Sequence, residues 1–365
     1  MQSSKTLNSA VMGLALFSMF FGSGNLIYPL FVGQMAESLW PAAALGFFLT
    51  AVLLPFMGVI AMLLYQGNFE RLFSSLGRKN GFYLSLILLS VWIPLGSGPR
   101  CIVLSYQSLA SYYSMPPLVI FSVFYSLLVL FIIRKKAQIL NILGYFLTPA
   151  LLLCLAIIIV KGLFKSHCAV SSDIVQNCFF LGVKEGYNTM DLIASFFFSA
   201  SVIRNVECLE RKESLKKVLK ACLIASALLA IVYLGLIVVS AFHAHDLKDI
   251  PKEQLLAFVS KKLLGPKNGI IAAMAVVLAC LTTSVAMISV YSEYLSEKLY
   301  LKENYGTRFS LAVTFAMSIF GLEGISFVTS PILSICYPFL IFLIAFNLVK
   351  EFLYFEEISL ARSED

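Results

Sequence analysis

Residues 20–29 read Phe20-Phe21-Gly22-Ser23-Gly24-Asn25-Leu26-Ile27-Tyr28-Pro29, in the middle of an apolar run from Ala10 to Val32. A run of that length can cross a bilayer as a helix. Two glycines around a serine, followed by an asparagine and a proline, make a poor continuous helix at mid-membrane depth. A break here exposes carbonyls from the first half-helix and N–H groups from the second, which offers opposite partial charges to a zwitterion. The same small residues also serve plain close packing between membrane helices, and the motif alone leaves both readings open.

The rest of the chain is of the same kind. Of its 365 residues 59% are hydrophobic and only 13% charged, and the mean hydropathy is +0.89. Soluble domains are roughly half apolar and a quarter charged, so this chain belongs in lipid. The apolar residues come in runs of about 20 rather than alternating strands of about 10, which selects helices over a barrel. Runs near 10–32, 41–65, 82–111, 118–133, 139–162, 187–205, 219–242, 269–292, 309–328 and 331–349 predict ten spans. With the amino terminus inside, the inner segments hold eighteen of the 27 lysines and arginines and the outer segments eight, while Arg100 falls within the third run. That bias predicts both termini in the cytoplasm. The first run is too long for the core of a cleaved signal and lacks a small-residue cleavage site, so it is expected to stay.

The net charge of +7 is a topology signal rather than a nucleic-acid footprint, because the basic residues lie in short clusters between apolar runs. The eight cysteines form no CxxC pair, and most sit in apolar runs, where a thiol acts as a small hydrophobe. Cys168 and Cys178 share a polar loop with His167, where free thiols, a disulfide or a weak metal site are all open. Hydrolytic triads, phosphate loops, zinc-ligand sets and haem motifs are missing from the sequence, so neither an enzyme nor an organic cofactor is expected.

The segment from His243 to Asn268 is predicted outside despite its five lysines. Near 252–264 it carries an amphipathic helix with Leu255, Leu256, Val259 and Leu263 on one face, read as a lid over an outer vestibule or as a plain surface helix. Ten spans divide into residues 1–162 and 163–349, followed by a cytoplasmic tail at 350–365. An odd number per set turns the second set over, so the chain can be a five-plus-five inverted repeat. Carriers built that way place their site at discontinuous helices 1 and 6.

The sixth run opens with Glu185-Gly186-Tyr187-Asn188-Thr189-Met190-Asp191 and continues to Phe196-Phe197-Phe198-Ser199-Ala200-Ser201. Asp191 is either an intramembrane functional carboxylate or a helix-start residue suited to the dipole. Ser199 and Ser201 lie nearer the midplane and are the expected partners of the break in the first span, with Phe197 and Phe198 as an apolar wall. In the eighth run, Ala279, Thr282, Thr283 and Ala286 share a helical face, so two hydroxyls can converge on a cation or bond back to their own helix. Arg100, inside the third run, must pair, snorkel or line a cavity, and Asp191 is a partner to test.

Taken together, the Gly22-Ser23-Gly24-Asn25 stretch, Gly98-Pro99-Arg100, the Glu185 to Asp191 motif and Ala279-Cys280-Leu281-Thr282-Thr283-Ser284 resemble the branched-chain amino acid:cation symporters. The resemblance runs from about residue 5 to residue 349, and it extends to the wider LeuT-like group of five-plus-five carriers. It implies an all-α polytopic carrier of leucine, isoleucine and valine in a bacterial cytoplasmic membrane, surrounded by lipid and coupled to Na⁺. By motif, Gly22, Ser23, Gly24 and Asn25 would hold the amino acid backbone, with Phe198, Ser199 and Ser201 opposite. Carbonyls of Ser18 and Phe21 would meet Ala279, Thr282 and Thr283 around the ion, and Arg100, Tyr187 and Asp191 are further functional candidates. Such carriers usually have twelve spans, against the ten read here, and Leu30 stands where a second proline is expected after Pro29. The rivals are H⁺ coupling, another small neutral amino acid, or a sensor or scaffold that binds without transporting. Oligomeric state and the preference among the three amino acids are left open.

Overall fold

The computed structural model describes residues 9–73, 77–134, 148–164, 177–204, 211–300 and 302–361. His167 and Cys168 lie outside the described residues. Among those described, every regular element is helical, as lipid demands of a chain that must satisfy its backbone internally. The long apolar helical stretches are Ser23–Leu64, Lys79–Ala110, Lys216–Phe242, Asn268–Leu299 and Gly321–Val349, with shorter ones at Ser9–Phe20, Leu118–Ile133 and Leu151–Phe164.

The first predicted span is two helices, α1 (Ser9–Phe20) and α2 (Ser23–Ala36). The second is α3 (Trp40–Phe48) and α4 (Leu54–Leu64), joined by a π-helical turn at Leu49–Leu53 that precedes Pro55. A short α5 (Phe69–Phe73) leads to the third span, formed by α6 (Arg78–Trp92) and α7 (Gly98–Ala110) around a second π-turn at Ile93–Ser97. Each π-turn sits where a proline removes an amide donor and pushes on the preceding turn. Next come α8 (Leu118–Ile133) and α9 (Thr148–Phe164).

Three boundaries differ from the sequence reading. The sixth span does not begin at 187 but with α10 (Cys178–Tyr187), which precedes α11 (Asp191–Arg204). Lys184 and Glu185 interrupt the hydropathy there, although Gly182 and Glu185 are buried. After α12 (Arg211–Phe242), α13 (Ala244–Leu247), α14 (Leu255–Leu299) and α15 (Glu303–Ser318), the last helix α16 starts at Gly321, not near 331. Gly321 takes a φ of 67° that ends the preceding helix, whereas Pro331 and Pro338 are carried inside α16, as membrane helices tolerate. Finally, α16 runs on to Ala361, so the backbone at 350–361, expected as a tail, is helical. Neither glycine nor proline occurs between 339 and 361 to stop it.

Within α14 the chain kinks at Gly265, whose φ of 81° and ψ of 167° are non-helical. Proline at 266 disfavours helical geometry in the residue before it. The part before the kink buries Leu255, Leu256, Val259 and Leu263 and exposes Lys261 and Lys262. The segment that leads into it is strapped to α2, where Gln34 Nε2 donates to the carbonyls of Leu247 and Ile250. The centre of the bundle is aromatic: Phe17 stacks on Phe21, Phe21 on Tyr233, and Phe47 meets Tyr233 edge-on at 5.3 Å. Helix α12 lines both halves of the first span, while α10 packs on α2 and α3, and α11 packs on α1 and α4. The two interrupted helices therefore run side by side.

Candidate functional site

The first helix stops at Phe20 because the following residues turn back on it. Phe21 N–H donates to Phe17 O at 2.7 Å and Gly22 N–H to Phe20 O at 2.9 Å. Gly22 itself is extended, with φ −104° and ψ −163°, and α2 starts at Ser23. The first turn of a helix has no intrahelical acceptor for its N–H groups, so the start of α2 presents donors at mid-bundle. The matching interruption lies between Tyr187 and Asp191, where Met190 takes a φ of 64°. Thr189 closes the end of α10 by donating its hydroxyl to Gly186 O at 2.8 Å.

Asp191 begins α11 and is 3% exposed. Asn25 Nδ2 donates to its two oxygens at 3.1 and 2.9 Å, and the Tyr233 hydroxyl donates to Oδ2 at 3.1 Å. Asn25 also donates to the Tyr233 hydroxyl, closing a triangle among α2, α11 and α12. The carboxylate is thus at once a helix-start residue and a buried group at the breaks. Arg100 does not pair with it: Nη1 donates to Asn188 O at 3.0 Å, Nη2 to Thr329 Oγ1 at 3.4 Å, and the guanidinium lies 5.9 Å from the Tyr28 ring centroid.

Between the breaks lies a cavity with an envelope of about 260 Å³, lined among others by Met19, Phe20, Gly22, Ser23, Gly24, Asn25, Trp92, Thr189, Asp191, Thr283 and Met287. The clear space within it is about 10 Å³, room for about one water molecule and not for a leucine. The site is therefore closed in this conformation, and its lining must separate to admit any larger guest. Trp92, Phe20, Met19 and Met287 form its apolar wall. Phe197 and Phe198 stand behind that wall: Trp92 lies 6.0 Å from Phe197 and 5.2 Å from Phe198, and Phe20 lies 6.2 Å from Phe198.

The structure brings Gly22, Ser23, Gly24, Asn25, Thr283 and Asp191 to one cavity, but not Ser199, whose hydroxyl bonds back to the carbonyls of Ser195 and Phe196. The Thr189–Asp191 turn stands opposite the first break instead, Ser199 lying about two turns farther along α11. Ser201 lies on α11, with its side chain outside the described residues. Tyr187 packs on Tyr337, ring centroids 5.2 Å apart. Of the oxygen set suggested for a cation, the Thr283 hydroxyl meets Phe21 O at 3.4 Å, while Thr282 donates to Ala279 O at 2.8 Å within its own helix. Ser18 is buried one turn before the break. These are neutral, hard oxygens, the donor type that suits an alkali or alkaline-earth cation. Tyr233 is absent from the sequence reading, although a lone hydroxyl in the apolar run 227–239 is a signal of a polar contact inside the bundle.

Residues 5–362 match the family described as branched-chain amino acid transport protein. The branched-chain amino acid permease BrnQ of Bacillus subtilis (strain 168) is 31% identical over 354 residues, covering 92% of this chain and 79% of the permease. The permease BrnQ of Corynebacterium glutamicum is 30% identical over 352 residues, with 94% and 81% covered. Among solved structures, that of MhsT in complex with L-phenylalanine superposes with a TM-score of 0.58 over 87% of this chain and 80% of that one. At 14% identity the likeness to MhsT concerns the fold. An all-helical bundle with two adjacent broken helices and this match along nearly its whole length make the chain a polytopic membrane transporter that belongs to the branched-chain amino acid transport protein family.

Proposed function

We propose that this protein imports leucine, isoleucine and valine across a bacterial cytoplasmic membrane, coupled to Na⁺, by alternating access within a five-plus-five inverted repeat. The observation that carries the reading is the pair of helix breaks facing one closed cavity, with N–H groups of α2 on one side and a carboxylate on the other. A zwitterion has no net charge, so membrane potential alone cannot concentrate it. One Na⁺ entering down about 100 mV contributes roughly 2.3 kcal/mol, which supports about a 50-fold gradient before any Na⁺ gradient is counted. The Thr283 hydroxyl against Phe21 O supports a cation position beside the cargo. Opening of the breaks toward one face and then the other would release cargo and ion together. The apolar wall at Met19, Phe20, Trp92 and Met287 suits branched side chains, and a methylene changes affinity by only about 1–3 kcal/mol, so discrimination among the three should be loose.

Coupling to H⁺ is the second reading, favoured by the burial of Asp191. Uptake of labelled leucine into proteoliposomes, with a Na⁺ gradient, with a pH gradient and with neither, separates the two. Uptake that follows Na⁺ and ignores pH is expected. Uptake that follows pH alone would make H⁺ the coupling ion, and binding without uptake would make the protein a sensor or scaffold.

A further inference from the structure

We infer that Asp191 is the counter-charge for the α-ammonium group of the transported amino acid, an assignment that rests on the carrier reading above. The carboxylate lines the cavity and is buried, and the donors that reach it, Asn25 and Tyr233, are neutral. Among the described residues no lysine, arginine or histidine nitrogen comes within 4.0 Å of it. Arg100, the buried cation of the same region, is committed to Asn188 O and Thr329. A buried carboxylate without a cationic partner is costly in a membrane protein and marks a site by default.

Three features select ammonium as the missing charge. The start of α11 places the positive end of a helix dipole at Asp191, which favours the ionised form without removing its charge. A cation of the coupling type already has neutral oxygens at Phe21 and Thr283 and needs no carboxylate. The cargo's own carboxylate is repelled by Asp191 and is drawn instead to the N–H groups at the start of α2, so one anion and one row of donors orient the zwitterion across the cavity. The site thereby selects α-amino acids over 2-hydroxy acids with the same side chain. A structural clasp would give no such selection.

The test is a cycle that removes one charge from each side. In proteoliposomes containing the whole protein, leucine and 2-hydroxy-4-methylpentanoate are compared as competitors of labelled valine uptake, for the parent and for Asp191→Asn. In the parent the hydroxy acid should compete at least about tenfold worse than leucine, the scale of a lost buried charge pair. In Asp191→Asn leucine should weaken at least about tenfold while the hydroxy acid changes little, so the ratio collapses. A ratio that survives the substitution overturns the inference, and so does a surviving ratio with altered Na⁺ or pH dependence, which would make Asp191 a carrier of the coupling ion. Should Asp191→Asn fail to reach the membrane, the parent alone decides with leucinamide, which keeps the ammonium and lacks the carboxylate. Leucinamide should compete at least about tenfold better than the hydroxy acid, and the reverse order overturns the inference. A parent that carries no branched-chain amino acid overturns the carrier reading itself, whereas normal uptake with an unchanged ratio overturns this inference alone.

Discussion

Thr283 and Ser284 are neighbours in sequence with different surroundings, and that difference makes a test. The Thr283 hydroxyl faces Phe21 O across the break, whereas Ser284 Oγ is hydrogen-bonded to the Tyr125 hydroxyl at 3.1 Å. Thr283→Val keeps the volume and removes the dipole, so the Na⁺ concentration for half-maximal uptake should rise several-fold, on the order of one lost oxygen ligand. Thr283→Ser should be mild, and Ser284→Ala should leave the Na⁺ dependence in place. Equal effects of Thr283→Val and Ser284→Ala would sink the assignment. Gly24 tests the break differently: a Cβ there would lie 3.2 Å from Thr189 Cα and 3.2 Å from Tyr28 Cε2. Gly24→Leu should abolish leucine uptake in protein that still inserts, because the side chain wedges the two breaks apart, and Gly24→Ala should be intermediate. The Gly22–Asn25 interruption is legible in sequence because helix propensity is local. The partners of Asp191 are not, since Asn25 is 166 residues away and Tyr233 42, and no spacing rule reaches that far.

Among the helices, α10 was the hardest to read because its hydropathy is broken by Lys184 and Glu185. Its glycines are the missed signal. A Cβ on Gly182 would overlap the Ala43 carbonyl, and one on Gly46 the Phe179 carbonyl, so α3 and α10 touch backbone to backbone, as small residues allow in membranes. Gly182→Val should lower the thermal midpoint through overpacking of about 1–3 kcal/mol, with the Na⁺ dependence of the remaining uptake unchanged. A midpoint equal to the parent's would show that α10 is free to shift. The amphipathic helix expected near 252–264 is legible from its periodicity, although the α-helix begins only at Leu255 after a 3-10 turn at Lys252–Gln254, and its anchoring is not legible. Lys252 Nζ lies 3.4 Å from Glu185 Oε1 and 3.6 Å from the Phe31 ring centroid, tying the segment to α10 and α2. Lys252→Ala should speed hydrogen exchange across 252–264, because it removes a partner from the nearly buried Glu185. The Asp246–Lys262 pair in the same segment behaves otherwise. The Lys262 ammonium holds the Asp246 carboxyl below its ordinary range, so its contribution is present at neutral pH and is lost as pH falls through that lowered value. Both side chains are more than a third exposed, which limits the pair to about 0–1 kcal/mol. Lys262→Ala should therefore change exchange at neutral pH far less than Lys252→Ala.

For the molecule as a bundle, the crossing count and the charge distribution are separate statements, and one labelling experiment addresses both. From Lys79, at the start of α6, the chain passes through α6–α7, α8, α9, the α10–α11 pair and α12 before it reaches Lys248. If each of these five crosses the membrane once, as the carrier reading requires, Lys79 and Lys248 lie on opposite faces whichever way the protein is inserted. A further crossing by α14 beyond its kink would then return Lys302 to the face of Lys79. Absolute orientation rests on the excess of basic residues at the Lys79 face, which predicts that face to be cytoplasmic. All three lysines are exposed, so a cysteine at each can be reached by reagent without disturbing the packing. In a background lacking the eight native cysteines, Lys248→Cys should label in intact cells with a membrane-impermeant maleimide, and Lys79→Cys and Lys302→Cys only after permeabilisation. Labelling of Lys79→Cys and Lys248→Cys from the same face would refute the crossing count. Because an even number of passages between them would also undo the opposed orientation of the two five-helix sets, that result would remove the inverted repeat from the carrier reading as well. An exchange of the two faces, with their opposition intact, would instead overturn the inward placement of the termini and leave the bundle and its closed cavity as described.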